Sequence, residues 1–561
     1  MKVEDEAPAK MLDGPVEGSR LQAKQSVEVD RGLNCYTILV LFIGILGGLL
    51  FGLDIGTAAI TSMNPFRAEM GIPVLQSGQT DSPETTSKIA MFAVLFHVFS
   101  LIGAPFAGQF ADKFGRKPII LIASTFFGLG AIWQTLAGLI SPSFGWTSII
   151  LGRCVGGIGN GFILTIMPVY AAELSPSKYR GKVITMFQFN ITVGIFLMAL
   201  INNAIKDTTW GWRVGFMIQC IPCVIIILCT LFFLPESPRY LMRKNRETEA
   251  REALVKLCLG SSDSELIAEK ELTEIAEELA ELTKVGESSF LECFQGSALP
   301  AVMCGVMVAF SQNVTGVNWF MNYATQLFSS LGFQPFLWDL ILKLLNMVAT
   351  LAALVFVERF GRKFLTVWGV IFVVIVFSLI GFVIIGSGVD IQTDHPTSKD
   401  KSIQSFCLAM IFAFQVVFAI TWGPLGWLVP SEVFSIRIRG KGMSMAVVAN
   451  MLTNIILGDY GYNLLNSATS TQATSLILVL LNIVIVCTTV VFLQPETKGV
   501  SLEDMRKVFG YEYGGDPTQN HGTLMDFFKR NGKQTLDILR CRGANPRIGF
   551  ERFDEPLKNT L

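Results

Sequence analysis

Gly108 to Lys117 reads GQFADKFGRK, and Phe356 to Lys363 reads FVERFGRK. Each closes one long apolar run and opens the next. Other phrases return in the same order. AELSPSKYRGK, ending at Lys182, comes back as SEVFSIRIRGK, ending at Lys441, and PESP at Pro235 comes back as PETK at Pro495. Two halves with the same punctuation make a duplicated bundle. Duplication of this kind puts the working surface at the pseudo-symmetry axis between the halves.

Working outward, the composition gives the solvent. Hydrophobic residues make up 51% of the chain and charged residues 16%, against roughly 25% charged in an ordinary soluble domain. The net charge of -1 gives no bulk pull toward nucleic acid. The apolar runs have the length that crosses a bilayer as a helix, about 20 residues. They fall near 36–62, 89–110, 117–139, 147–172, 183–204, 212–234, 299–328, 336–357, 364–386, 404–430, 441–464 and 472–493. They are too long and too uniformly apolar for barrel strands. The expected fold is an all-α membrane protein with twelve transmembrane helices in two pseudo-symmetric six-helix halves. The expected segments are a polar N-terminal stretch 1–35, a first bundle 36–234, a helical linker 235–297, a second bundle 298–493 and a polar tail 494–561. The first 30 residues hold no apolar run, so no cleavable signal peptide is expected.

Lysine and arginine set the orientation. Lys113, Arg116 and Lys117 share a side with Lys178, Arg180 and Lys182, and with Arg359, Arg362, Lys363, Arg437, Arg439 and Lys441. The opposite loops 140–146, 329–335 and 458–471 have none. The basic side is therefore expected to be cytosolic, with both termini and the linker on it. Within the linker, SELIAEKELTEIAEELAELTK puts Leu272, Ile275, Leu279 and Leu282 on one helical face. That face is expected to dock under the bundle. Cys220 and Cys223 form a CxxC inside a span, with no second pair or histidine beside it, so packing is favoured over metal or redox chemistry.

An ionisable group inside a span is costly and marks function. The first span carries Asp54 and the fourth carries Arg153. On separate helices they can neutralise each other. A proton on Asp54 would release Arg153, which couples proton binding to helix position. Gly152, Gly156, Gly157 and Gly161 in the fourth span allow close helix approach. Among the uncharged polar residues in the spans, those singled out are Gln188, the Gln312, Asn313, Thr315 and Asn318 of SQNVTGVN, Asn346, Asn450 and Asn454. Amides both donate and accept, which suits a ligand rich in hydroxyls. Trp422 and Trp427, in TWGPLGWLVPSE, offer flat faces to sugar C–H groups.

The stretches GRCVGGIGNGF, PVYAAELSPSKYRG, PESPRYL, QNVTGVN, VERFGRK, GPLGWLVPSEVF and PETKG together resemble the sugar porter family of the major facilitator superfamily. Among its members they are closest in motif to proton-coupled hexose symporters. The resemblance implies a sugar site at Gln188, Gln312, Asn313, Asn318, Asn346, Trp427 and Asn450, with proton coupling at Asp54 and its partner Arg153. It also implies a gate of salt bridges between cytosolic loop ends. These are Asp112, Arg116, Glu173 and Arg180 in one half, mirrored by Glu358, Arg362, Glu432 and Arg439 in the other. Three departures bear on sugar preference: Asn313 stands where the family has a second glutamine, Trp319 is bulky, and Leu53 precedes Asp54 where tyrosine is usual. The function implied is proton:monosaccharide symport by alternating access. The alternatives are a facilitative uniporter, with Asp54 only an ion pair, and a non-transporting sugar receptor. The expected partners are a hexose, protons and the lipid bilayer, with no nucleic acid, cofactor, metal or enzymatic activity. The expected state is a monomer in the plasma membrane.

Overall fold

A computed structural model describes residues 34–74, 82–139, 144–176, 179–259, 264–283, 293–294, 298–318, 321, 325, 328, 334–387, 398–434, 438–461, 477, 479–498, 500, 505–509 and 524–540. The first half comprises α1 (Cys35–Gly56), α2 (Pro83–Phe114), α3 (Arg116–Thr135), α4 (Gly145–Leu174), α5 (Arg180–Ile205) and α6 (Gly211–Phe232). Three linker helices follow: α7 (Pro238–Arg243), α8 (Glu247–Cys258) and α9 (Ser264–Thr283). The second half holds α10 (Ala298–Val314), α11 (Pro335–Phe360), α12 (Arg362–Ser387), α13 (Ser398–Ile420) with α14 (Trp422–Val433), α15 (Arg439–Thr453) and α16 (Val479–Leu493). A tail helix, α17, runs from Leu524 to Leu539. Among the described residues, nine helices are long and apolar enough to span a membrane. The other three expected spans correspond to α10, to α15 with its π-helical continuation Asn454–Gly461, and to α16. Trp319, and much of the loops and tail on which expectations were placed, lie outside the described residues.

Many large apolar side chains face outward, among them Phe232, Phe382 and Val355, as a lipid-facing surface requires. Inside, small residues set the helix spacing. A Cβ on Gly157 would stand 2.5 Å from the carbonyl oxygen of Phe96, and one on Gly159 would stand 2.5 Å from the amide of Phe127. Two faces of α4 thus lie backbone to backbone against α2 and α3.

The halves meet along two related seams, α2 against α15 and α5 against α11. They also touch at the opposite end. There Ser62 Oγ lies 3.3 Å from Thr325 Oγ1, and Lys206 Nζ stands 5.5 Å from the Phe336 ring centre.

The linker departs from expectation. Leu272 and Ile275 of α9 are buried against Tyr240, Leu241, Ala250, Ala253 and Leu254 of α7 and α8. The apolar face is covered by the linker's own helices rather than by the bundle. Those short helices are amphipathic too, and lie closer in sequence. The tail helix does reach the bundle. Asn531 Nδ2 donates to the Phe492 carbonyl at 2.9 Å, and the buried Lys363 Nζ donates to the Asn531 carbonyl at 2.7 Å.

Candidate sugar and proton site

Asp54 and Arg153 come together as a fully buried pair. Arg153 Nη1 donates to Asp54 Oδ1 at 2.5 Å, and both side chains are 3% exposed. Arg153 Nε donates to the Phe92 carbonyl at 3.0 Å, and the guanidinium lies over the Phe92 and Phe96 rings at 4.1 and 4.3 Å. The aromatic faces supply electron density that partly replaces water around a buried cation. The pair joins α1 to α4, and α2 frames it.

The amides gather in the second half. Gln312 Nε2 donates to the Gly423 carbonyl at 2.7 Å and the Trp422 carbonyl at 3.3 Å. Asn450 Nδ2 donates to Gln312 Oε1 at 2.9 Å, and Asn313 Nδ2 donates to the Asn450 carbonyl at 2.8 Å. Asn318 Nδ2 donates to Asn313 Oδ1 at 2.6 Å and also to Asn454 Oδ1. A chain of amides thus ties α10 to α14 and α15. Gly426 makes room for it, since a Cβ there would stand 2.5 Å from Gln312 Nε2. Asn346 lies apart from this chain and accepts from Gln415 Nε2 of α13 at 2.8 Å.

The first half contributes Gln188, whose Oε1 is buried with no partner among the described residues. Trp427 sits between the halves, edge-on to Phe187 at 5.8 Å and to Phe51 at 6.5 Å. Phe51 is three residues from Asp54, about 4.5 Å along the helix axis. One turn of α1 therefore links the ion pair to the tryptophan beside the amides.

The repeats form one duplicated structure on the basic side. Gly115 (φ 103°) and Gly361 (φ 92°) turn the chain into α3 and α12. The Glu236 carboxylate accepts from the amides of Arg116 and Lys117 at 2.8 and 3.2 Å, and the Glu496 carboxylate accepts from those of Arg362 and Lys363 at 2.9 and 3.0 Å. These acids cap helix N-termini. Arg116 grips Glu173 with two bonds of 3.1 and 3.0 Å, and Ser237 donates to the same carboxylate at 2.6 Å. Arg362 grips Glu432 at 3.3 and 2.8 Å, and Thr497 donates to it at 2.7 Å.

The residues expected to form the gate gather on the basic side, in contacts within each half and across the seam. The bidentate pairs of Arg116 and Arg362 run within each half, as do the 3.7 Å contacts to Asp112 and Glu358. Across the halves, the Asp112 carboxylate meets the start of α15, 3.3 Å from where a Cβ of Gly440 would be. The Glu358 carboxylate meets the start of α5, where a Cβ on Gly181 would collide with it. With Arg116 and Arg362 held by their own glutamates, each acid faces the positive end of a helix in the other half. Arg439 lies within electrostatic reach of Glu173 across the seam. Arg180 donates to the Ala172 carbonyl at 3.2 Å. The linker joins in through Arg243, 3.1 Å from Asp112.

Sequence reasoning missed three groups. Gln415 is a single amide in an apolar run. Asp339 and Lys343, four apart in α11, form a buried 2.8 Å pair. The signal for that pair was two charges inside one span.

Comparisons with known proteins agree with this architecture. The profile described as "Sugar (and other) transporter" matches residues 40–509. The H(+)/hexose cotransporter 1 of Parachlorella kessleri is 31% identical over 488 residues, covering 85% of this chain and 88% of that protein. The galactose-proton symporter of Escherichia coli (strain K12) is 31% identical, covering 85% and 95%. Among solved structures, the proton:xylose symporter XylE bound to 6-bromo-6-deoxy-D-glucose superposes with a TM-score of 0.71 at 24% identity, covering 84% of this chain and 99% of that one. XylE from E. coli in its inward open conformation gives 0.62 at 23% identity, covering 84% and 99%. These structural likenesses speak for the fold.

Proposed function

Because the chain belongs to the sugar transporter family, we propose that it is a secondary active carrier moving a monosaccharide together with a proton by alternating access. One observation carries the reading: a buried, titratable ion pair, Asp54 with Arg153, stands one helical turn from a residue that packs on Trp427. Protonating Asp54 would weaken its hold on Arg153 and free α1 from α4. The shift passes through Phe51 to the wall of the sugar site. The amides of Gln312, Asn313, Asn318, Asn346 and Asn450, with Gln188 and Trp427, present the donors and acceptors that sugar hydroxyls need. Asp112 and Glu358, set against the helix starts at Gly440 and Gly181, act with the Arg116–Glu173 and Arg362–Glu432 pairs as the basic-side gate. The two bidentate pairs are buried and hold each half together, whereas Asp112 and Glu358 are partly exposed, so their contacts across the seam are the weak ones that break and re-form as the gate opens. The basic side is the cytosolic side, the membrane is the plasma membrane, the carrier works as a monomer, and it performs no enzymatic step.

The test is uptake of labelled hexoses into cells that lack their own sugar carriers, with and without a proton uncoupler. Accumulation above the external concentration that collapses with the uncoupler is expected. Equilibration unaffected by the uncoupler would make the chain a uniporter, and binding without uptake would make it a receptor.

A further inference from the structure

Asp339 and Lys343 lie outside the residues assigned above to proton coupling and the gate, and both are almost wholly removed from solvent, at 2% and 1% side-chain exposure. A buried ion pair costs desolvation at both charges. Tying two helices together would be a reason to keep one. This pair does not do so, because both partners are on α11 and the bond is one turn of that helix, Lys343 Nζ to Asp339 Oδ2 at 2.8 Å. The second carboxylate oxygen, Asp339 Oδ1, is buried and has no partner among the described residues. Buried carboxylate oxygens are rarely left without a donor.

The pair stands on the face that matters. Asp339, Leu342, Lys343, Asn346, Thr350, Ala353 and Val357 are all buried residues of α11, and they recur at helical spacing as one stripe. Asn346, a member of the sugar site, is on that stripe seven residues from Asp339, about 10 Å along the helix. The same offset that carries Arg116 onto Arg362 carries His97 onto Lys343 and Ala93 onto Asp339. Both halves thus place a buried base at this point, but only α11 brings its own carboxylate.

The orphan oxygen needs a donor, and net charge decides which kind. A proton added to the pair would leave one uncompensated positive charge inside the membrane. A neutral hydroxyl would satisfy Oδ1 and leave the net charge at zero. Lys343 keeps two further N–H donors for a neighbouring hydroxyl oxygen. We infer that Asp339 and Lys343 form a second subsite, outward of Asn346, that takes a pair of hydroxyls from a neutral sugar. A ligand reaching from Asn346 to the Asp339 carboxylate, about 10 Å along the helix, extends beyond one pyranose ring, so the subsite suits a disaccharide or glycoside.

This inference rests on the sugar-carrier reading, and the experiment separates the two. The full chain, purified and reconstituted in liposomes, is tested with D-glucose and maltose. The double change Asp339→Asn, Lys343→Met removes both charges at similar volume. Asp339→Glu alone, which keeps both charges and moves the carboxylate by one methylene, is the milder second variant. Melting temperature without sugar checks the fold. The dissociation constant for maltose is expected to rise about tenfold or more, the loss expected for hydrogen bonds to charged groups, with a smaller rise for glucose. An equal rise for both sugars also supports the subsite and puts it on the path of a single ring. Unchanged affinities with a lowered melting temperature would overturn it in favour of a helix staple. Unchanged affinities with a shifted pH profile of uptake would overturn it in favour of a proton site. A wild-type chain that binds neither sugar overturns the carrier reading and the subsite with it.

Discussion

Gln188 and Gln312, both placed in the proposed sugar site, are held differently, and the difference predicts how their alanine variants separate. Gln312 makes three hydrogen bonds within the protein, to the carbonyls of Gly423 and Trp422 and from Asn450. Interhelical hydrogen bonds in membrane proteins average about 0.6 kcal/mol each, so Gln312→Ala should cost about 2 kcal/mol of stability. It should weaken sugar binding as well, because α10, α14 and α15 lose their shared anchor. Gln188 Oε1 has no partner to lose among the described residues. Gln188→Ala should leave the melting temperature of the sugar-free protein nearly unchanged. It should weaken hexose binding by about 1 kcal/mol, or roughly fivefold, from one missing hydrogen bond to a sugar hydroxyl. Melting curves and equilibrium sugar binding on the purified variants measure both quantities. A Gln188→Ala protein that melts as early as Gln312→Ala yet binds sugar normally would refute the division of roles.

Asp54→Asn should abolish uphill, pH-dependent uptake and spare sugar exchange, read as counterflow in proteoliposomes; accumulation against a gradient by the variant would remove Asp54 from coupling. Gly181→Leu should displace Glu358 from the start of α5 and loosen the basic-side seam, read as longer spin-label distances between α5 and α11; an unchanged distance distribution would count against the gate. Glu69 lies outside the spans, and its carboxyl is held below the ordinary 4.5, chiefly by hydrogen bonds from Arg213, with burial acting in the opposite direction. A depressed folded value gives stability that is present above about 4.5 and lost as pH falls below it through the folded value. The melting temperature should therefore drop on acidification below that point, and less steeply in Glu69→Gln; identical slopes would show that this corner does not matter.

The duplicated half was legible because its punctuation is chemical. PESP and PETK return because a glutamate must cap α3 or α12 while the next hydroxyl binds Glu173 or Glu432. Asp54 and Arg153 were legible because each is the only charge in an apolar span and so needs a partner elsewhere. Asp339 and Lys343 escaped because their charges cancel within one turn of α11, and the carboxylate oxygen left without a partner among the described residues shows only in the coordinates. Gln415 escaped because an amide deep in a long apolar run carries no sign of its target. The amides were recognisable as a group, but only coordinates separate Gln312, occupied by backbone carbonyls, from Gln188, with an oxygen to spare. The linker was misassigned for a related reason: an apolar stripe on α9 says that something covers it, not which neighbour does.

Lys363 adds a consequence for the tail. In the first half the matching Lys117 reaches a carbonyl at the end of α6, that of Leu231, at 3.4 Å and stays half-exposed. In the second half the lysine is roofed over by α17 and bonded to a carbonyl 168 positions further along the chain. Duplication made the two lysines alike, and the different segments after the two bundles made them unlike. An amine-reactive reagent should therefore find Lys117 at all times and Lys363 only while the tail is lifted, so the labelling ratio of the two sites reads the position of the tail against an internal standard.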